Sequence, residues 1–176
     1  MTEKDAAKSL SPKIELLVKK HERAVFSCGN DTLDTYLKKR ASQEAKKKIA
    51  AAFVMVGNQP SEIIGYYTLS STSILLDDLP DKIAKKLPQY PQVPATLLGR
   101  LAVDRRYQGR GYGEILILDA LRRSFNAASV VASYAVVVDA IDERARSLYS
   151  HYGFCDFPDR KLRLFMPMKT IADLFS

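Results

Sequence analysis

Cysteine and histidine are scarce in this chain: two of each among 176 residues, Cys28, Cys155, His21 and His151. Neither cysteine belongs to a Cys-x-x-Cys pair, so the familiar spacings of zinc sites and dithiol redox centres are missing and no metal is expected. Reduced thiols and cytoplasmic residence follow as the expectation. Long apolar runs are missing too. None approaches the ~20 residues that span a bilayer, so no membrane is expected among the partners. The opening Met1-Thr2-Glu3-Lys4-Asp5 is polar and lacks the apolar core of a signal peptide. There is no internal repeat, no low-complexity tract and no linker-like shift in composition. The expected organisation is a loose segment over 1–12 followed by a single domain over 13–176. Acidic residues are in the minority, 20 against 27 Lys and Arg, which leaves a formal net charge of +7 and a pI near 9.4. Such a balance suggests a polyanionic partner. With 47% hydrophobic and 27% charged residues, the rest of the composition is that of an ordinary globular domain.

What the chain does have is a dense cluster of glycine and arginine. An apolar, strand-like run ends at Val103. Arg105 and Arg106 follow, then Gln108-Gly109-Arg110-Gly111-Tyr112-Gly113, then an apolar run with helical spacing. Glycines between a strand and a helix let the backbone approach a ligand closely. The first amides of the helix are left unpaired and aimed at whatever sits there, and an anion is the natural occupant. Two common phosphate loops are excluded. The dinucleotide fingerprint G-x-G-x-x-G would need its third glycine where Glu114 stands, and a Walker loop would need a closing Gly-Lys-Ser/Thr.

The remaining pattern, Gln108-x-x-Gly111-x-Gly113 after a strand, resembles the acetyl-CoA signature Gln/Arg-x-x-Gly-x-Gly of the GNAT superfamily of N-acetyltransferases. The resemblance implies that the loop of Gln108, Gly109, Arg110, Gly111, Tyr112 and Gly113 holds the CoA pyrophosphate, with Arg105 at its entry. It implies that Leu101, Ala102 and Val103 pair with the pantetheine arm, and that acetyl-CoA is the co-substrate.

The element pattern agrees with that resemblance. Ile14 to Val18 reads as a first strand. Asn30 or Asp31 caps a helix in which Leu33, Tyr36, Leu37 and Ala41 recur at helical spacing to about Lys48. Ala51 to Val56 and Ile63 to Leu75 read as strands around a turn at Gly57-Asn58-Gln59-Pro60. Pro80 to Leu87 reads as a short helix, and Pro88, Pro91 and Pro94 as a stiff connector. A strand over Thr96 to Val103 leads to a helix from about Gly111 to Phe125. Ser133 to Val138 has the continuous apolar character of a buried strand. Asp142 to Tyr152 is a helix ended by Gly153. Leu162 to Met168 is the last strand, and Ile171 to Phe175 a short tail. The fold class expected is α/β (α+β), a mixed central β-sheet flanked by helices, and the GNAT resemblance covers roughly residues 13 to 169.

Two further segments carry the resemblance. Asp142-Glu-Arg-Ala145-Arg-Ser-Leu148-Tyr149-Ser-His-Tyr152-Gly153-Phe154 is similar to the GNAT pattern Asn-x-x-Ala-x-x-Leu-Tyr-x-x-x-Gly-Phe, departing from it at Asp142. It implies that Tyr149 faces the CoA sulfur as general acid, whereas Tyr152 reads as packing. His21 to Gln43, with the string Phe26-x-Cys28-Gly29-x-x-x-Leu33-Asp34-x-Tyr36-Leu37, looks like the N-terminal signature of GNAT-type toxins from bacterial toxin–antitoxin modules. That group acetylates the free amino group of aminoacyl-tRNA, blocks translation and is held inactive by a small ribbon-helix-helix antitoxin, encoded nearby. A homodimer is compatible with it.

Basic residues gather at Lys38-Lys39-Arg40, at Lys46-Lys47-Lys48, at the glycine turn and at Arg160-Lys161-Leu162-Arg163. Lys38, Lys39, Lys46, Lys47 and Arg105 are the candidates for tRNA contact. The amine chemistry points the same way. A lysine with pKa near 10.4 is neutral in less than about one molecule in a thousand at pH 7 and needs a strong base. An α-amino group, with pKa about 7.7–8.0, is neutral at roughly the ten per cent level, and esterification lowers its pKa further. Glu62 is the only acidic residue at the central hairpin, and no histidine lies near the glycine turn. A tyrosine acid without an evident base fits a weakly basic amine. The alternatives are a GNAT acetyltransferase acting on a small amine or protein amine, and a regulator that binds CoA or nucleic acid without turnover.

Overall fold

The computed structural model describes residues 11–176, so the expected loose segment lies, apart from its last two residues, outside the described residues. In chain order the elements are β1 (Lys13–Leu16), α1 (Asp31–Lys39), α2 (Ala41–Lys46), β2 (Ala51–Val56), β3 (Ile63–Leu75), α3 (Asp81–Ala84), β4 (Gln92–Val103), α4 (Tyr112–Ala127), β5 (Ala135–Asp139), α5 (Glu143–His151), β6 (Cys155–Phe157), β7 (Arg160–Pro167) and α6 (Met168–Leu174). Single 3-10 turns stand at Leu76–Asp78 and Arg105–Tyr107. The strands hydrogen-bond in the order β1-β2-β3-β4-β5-β7-β6. The β4–β5 pair is parallel, while β1–β2, β5–β7 and β6–β7 are antiparallel, so the sheet is mixed. Parallel neighbours need a crossover, and α4 supplies it between β4 and β5. With partners on both edges, Ala135 to Val138 are completely buried, as their unbroken apolar run predicts.

Two compact units are distinguishable: residues up to Thr68 with Arg100–Asp119, and Leu69–Gly99 with Ala120–Ser176. Within the first, Phe26, Tyr36, Leu37, Val54, Ile63 and Tyr66 form the core. Within the second, Ile74, Leu79, Val93, Val137, Phe157 and Phe165 do so.

Several expected boundaries change. The helix expected to run to about Lys48 is two helices, because Arg40 sits at φ −120° and ψ −35°. Leu33, Tyr36, Leu37 and Ala41 keep their helical spacing across the break, so periodicity does not register one residue's change of dihedral. Of the two candidate caps, Asn30 acts: its side chain accepts from the Leu33 N–H at 3.1 Å. Pro94 belongs to β4 rather than to a connector. It has no N–H to donate, but its carbonyl accepts from the Tyr134 N–H at 2.8 Å. The tail after Met168 is a helix, and the three-residue β6 was not foreseen; strands this short carry too few positions for a period-2 pattern.

Candidate active site

In the first unit the glycine turn has the geometry of an anion cradle. Gly109 and Gly111 sit at φ +78° and +85°, a conformation that costs an L-residue with a side chain roughly 1–2 kcal/mol. A Cβ built on Gly109, Gly111 or Gly113 meets nothing within 4 Å, so each faces open space. Arg110 is exposed beside them, with its guanidinium 5.7 Å from the Tyr107 ring centre, and Tyr112 packs edge-on against the same ring. These residues fit a diphosphate: unobstructed amides, a cation and the start of a 16-residue helix. Leu101 and Val103 are half-buried and Ala102 is in the core. The β4–β5 ladder runs from Ala95 to Leu98, so Leu101 to Val103 lie beyond it. Backbone outside the ladder on that edge suits an extended polar arm.

The arginines at the turn do not act alike. Arg106, although its side chain is half exposed, is held by two carboxylates: it donates to Asp104 at 2.9 Å and pairs with Glu62 at 2.9 Å. Asp104 is 1% exposed. Burial pushes its carboxyl up, but hydrogen bonds from the Arg106 side chain and from the Arg106 and Ser27 amides outweigh that and hold it below the usual range. Arg105 stays exposed, with its backbone N–H donated to the Ser27 carbonyl at 2.8 Å. Gln108 donates its side-chain amide to the carbonyls of Cys28 and Val103, both at 2.8 Å. What it presents to a ligand is therefore its backbone.

Glu62 is engaged as well. It accepts the Tyr107 hydroxyl at 2.9 Å in addition to its pairing with Arg106, so it is no free base. His21 is buried between the Val18 N–H, accepted on Nδ1 at 3.0 Å, and Glu15, 2.8 Å from Nε2. Burial, reinforced by Asp34, pushes the Cys28 thiol up to about 11, where it is an inert neutral group at physiological pH. Among the described residues, no three His, Cys, Asp or Glu side chains gather as a metal site.

Lys38, Lys39, Lys46 and Lys47 are all exposed, together with Arg40 and Lys48, on and beside α1 and α2. The second helix stays close to the first because the Tyr36 hydroxyl donates to Glu44 at 2.6 Å, and Arg100 stacks 3.7 Å over the Tyr36 ring. Sequence reasoning missed Asp104, Tyr107 and Gly65. The last had a readable signal, an isolated glycine inside a strand. A Cβ there would stand 2.8 Å from the Ala102 carbonyl oxygen and 2.9 Å from Leu116 Cδ1, so only glycine lets β3 pass that close to β4 and α4.

In the second unit, α5 carries Tyr149. Asp142 caps it, accepting from the Ala145 N–H at 2.8 Å, which engages the carboxylate found where the GNAT pattern has asparagine. Arg146 ties α5 to β6 through Asp156 at 2.7 and 3.0 Å. The Tyr149 ring meets Phe154 edge-on at 5.4 Å, and its hydroxyl donates to no protein group among the described residues. Burial pushes that hydroxyl up to about 12, so it holds its proton at neutral pH. Tyr152 is half-buried with its ring against His151.

Comparison with known proteins bears on this arrangement. A family model described as the acetyltransferase (GNAT) family matches residues 30–154. A protein of Sinorhizobium fredii described as probable toxin TacT is 35% identical over 162 residues, 88% of this chain and 90% of that one. A tRNA-acetylating toxin of Mycobacterium tuberculosis is 38% identical over 144 residues, 82% of this chain and 84% of that one. Among solved structures, AtaT complexed with acetyl-methionyl-tRNAfMet has a TM-score of 0.88 at 32% identity, covering 94% of this chain and 100% of that one.

Proposed function

The chain belongs to the GNAT acetyltransferase family, and from that premise we propose that it is the toxin of a toxin–antitoxin module. It is an acetyl-CoA-dependent N-acetyltransferase that acetylates the free α-amino group of aminoacyl-tRNA and so blocks translation. The observation that carries this reading is the match, at TM-score 0.88 over 94% of the chain, to a toxin solved with acetylated methionyl-tRNA. The exposed lysines of α1 and α2 supply the cationic surface such a substrate needs. A ribbon-helix-helix antitoxin encoded nearby is the expected partner, and the cytoplasm, where charged tRNA is found, the expected compartment.

The residues take the following parts. The amides around Gly109, Gly111 and Gly113, with Arg105 and Arg110, bind the pyrophosphate of acetyl-CoA, and the Leu101–Val103 backbone aligns its pantetheine arm. The amine nitrogen attacks the thioester carbonyl, the C–N bond forms as the C–S bond breaks, and the nitrogen gives up a proton to solvent, from which Tyr149 regains the one it donates. Tyr149 donates its hydroxyl proton to the departing thiolate. Between separate groups that transfer is uphill, from about 12 to a thiol near 8.5, so it occurs late and only with the two atoms held in place. Glu62 is held by Arg106 and Tyr107, which matches an amine that arrives largely able to lose its own proton.

Mass spectrometry of a charged-tRNA pool after incubation with acetyl-CoA tests the reading. The expected product is N-acetyl-aminoacyl-tRNA. Acetylation of free amines or protein lysines with untouched tRNA would replace this function by the small-amine or protein-amine alternative.

A further inference from the structure

The segment before α1 and the entry to the glycine turn are joined by hydrogen bonds that the transfer itself does not use. Asp104 Oδ2 accepts from the Ser27 N–H at 3.1 Å, and the Arg105 N–H donates to the Ser27 carbonyl at 2.8 Å. Gln108 Nε2 donates to the Cys28 carbonyl and, at the end of β4, to the Val103 carbonyl. On its other side the segment is fastened to α1. The Cys28 N–H donates to Asp34 Oδ1 at 2.9 Å, and Asn30 caps the helix through the Leu33 N–H. The backbone groups of Ser27 and Cys28 are thus all engaged. Gly29 makes the turn at φ +93° directly under Arg105; a Cβ there would lie 3.3 Å from Arg105 Nε.

We infer that Ser27–Asn30 is a strut that holds the pyrophosphate loop in its binding conformation, with Gln108 as a positioning residue and Gly29 as the turn that lets the strut fit. The inference rests on the acetyl-CoA site proposed above. A loop with two left-handed glycines has many conformations open to it, and its amides converge on one anion only when something else selects one. Gln108 does so by bridging two carbonyls, one on the strand that enters the loop and one on the segment that leads into α1. Its side-chain amide nitrogen is engaged there and acts on the cofactor through the loop. An arginine at this position carries N–H donors for the same two carbonyls. This also gives a physical part to the Phe26-x-Cys28-Gly29 string: its backbone, rather than its thiol, is what the loop uses.

Calorimetric titration of the whole protein with CoA tests the strut, run beside steady-state kinetics for acetyl-CoA. Gln108→Ala, which removes two hydrogen bonds, and Gly29→Ala, which strains a turn at φ +93°, should each weaken CoA about tenfold. The KM for acetyl-CoA should rise in parallel, with kcat at saturation within about threefold of the native value. Gln108→Arg should restore CoA affinity to within about threefold. Melting curves decide which variants are folded, and Gln108, on the surface, keeps the test open if Gly29→Ala does not fold. Native CoA binding with unchanged affinity in folded Gln108→Ala overturns the strut alone, as does failure of Gln108→Arg to restore it. A native protein that does not bind CoA overturns the cofactor site and the strut with it.

Discussion

Replacing Gly111 by aspartate separates the two demands that the glycine turn meets. Gly111 stands at φ +85° with open space where a Cβ would go. Gly111→Ala therefore meets no clash, and its cost to folding is the left-handed conformation alone, about 1–2 kcal/mol. Aspartate tolerates that conformation better than alanine, so Gly111→Asp should melt at or above Gly111→Ala. Binding should reverse the order. A carboxylate about 4 Å from one phosphate charge is repelled by ~1 kcal/mol at the dielectric of water and by ~4 kcal/mol at an effective value near 20. Two phosphate charges roughly double this, to about 2–8 kcal/mol, which is at least ~30-fold in affinity and at the upper end a complete loss. Calorimetric titration of acetyl-CoA into native protein and both variants, with melting curves alongside, reads out both orders. The repulsion should shrink as salt rises. A folded Gly111→Asp protein that binds acetyl-CoA as well as Gly111→Ala would refute the placement of the pyrophosphate at this turn.

Tyr149→Phe keeps the ring against Phe154 and should lower kcat by about a hundredfold or more with acetyl-CoA affinity within a few-fold; near-native turnover would return Tyr149 to packing. Because burial pushes the Tyr149 hydroxyl up to about 12, deprotonation of this group should take no activity away below about pH 10, and a kcat loss near pH 8 that disappears in Tyr149→Phe would contradict its assignment. Neutralising Lys38, Lys39, Lys46 and Lys47 to glutamine should raise the KM for charged tRNA and flatten its salt dependence while acetyl-CoA binding stays intact, and an unchanged salt slope would move the tRNA to another surface. The Glu15 carboxyl is held at about 2, chiefly by His21 and then by Lys20. Its stabilising effect should be fully present above the ordinary 4.5 and disappear as pH falls toward 2, so acid unfolding curves of Glu15→Gln should lose part of their slope in that window.

Features whose cause lies within a few residues were legible from the chain. The strand–glycine–helix order, the Asn30 and Asp142 caps, the unbroken burial of Ala135 to Val138 and the limits of β2 and β3 all follow from local spacing and side-chain type. The motif around Tyr149 was legible for the same reason, since one helix with its cap and its terminating Gly153 carries all of it. Charge was legible as clusters along the chain, but the partner of each cation was not, because the three arginines at the turn look equivalent there. Tertiary structure divided them: all three stay exposed, but Arg106 is the one it pairs with the Asp104 and Glu62 carboxylates. It also engaged Glu62 and passed β3 close enough to α4 to require Gly65. The Ser27–Asp104 and Cys28–Gln108 contacts join residues 77 and 80 positions apart. No local pattern encodes such pairs, because which polar group meets which depends on how the strands between them pack, and a buried carboxylate such as Asp104 takes whatever donors that packing brings within reach.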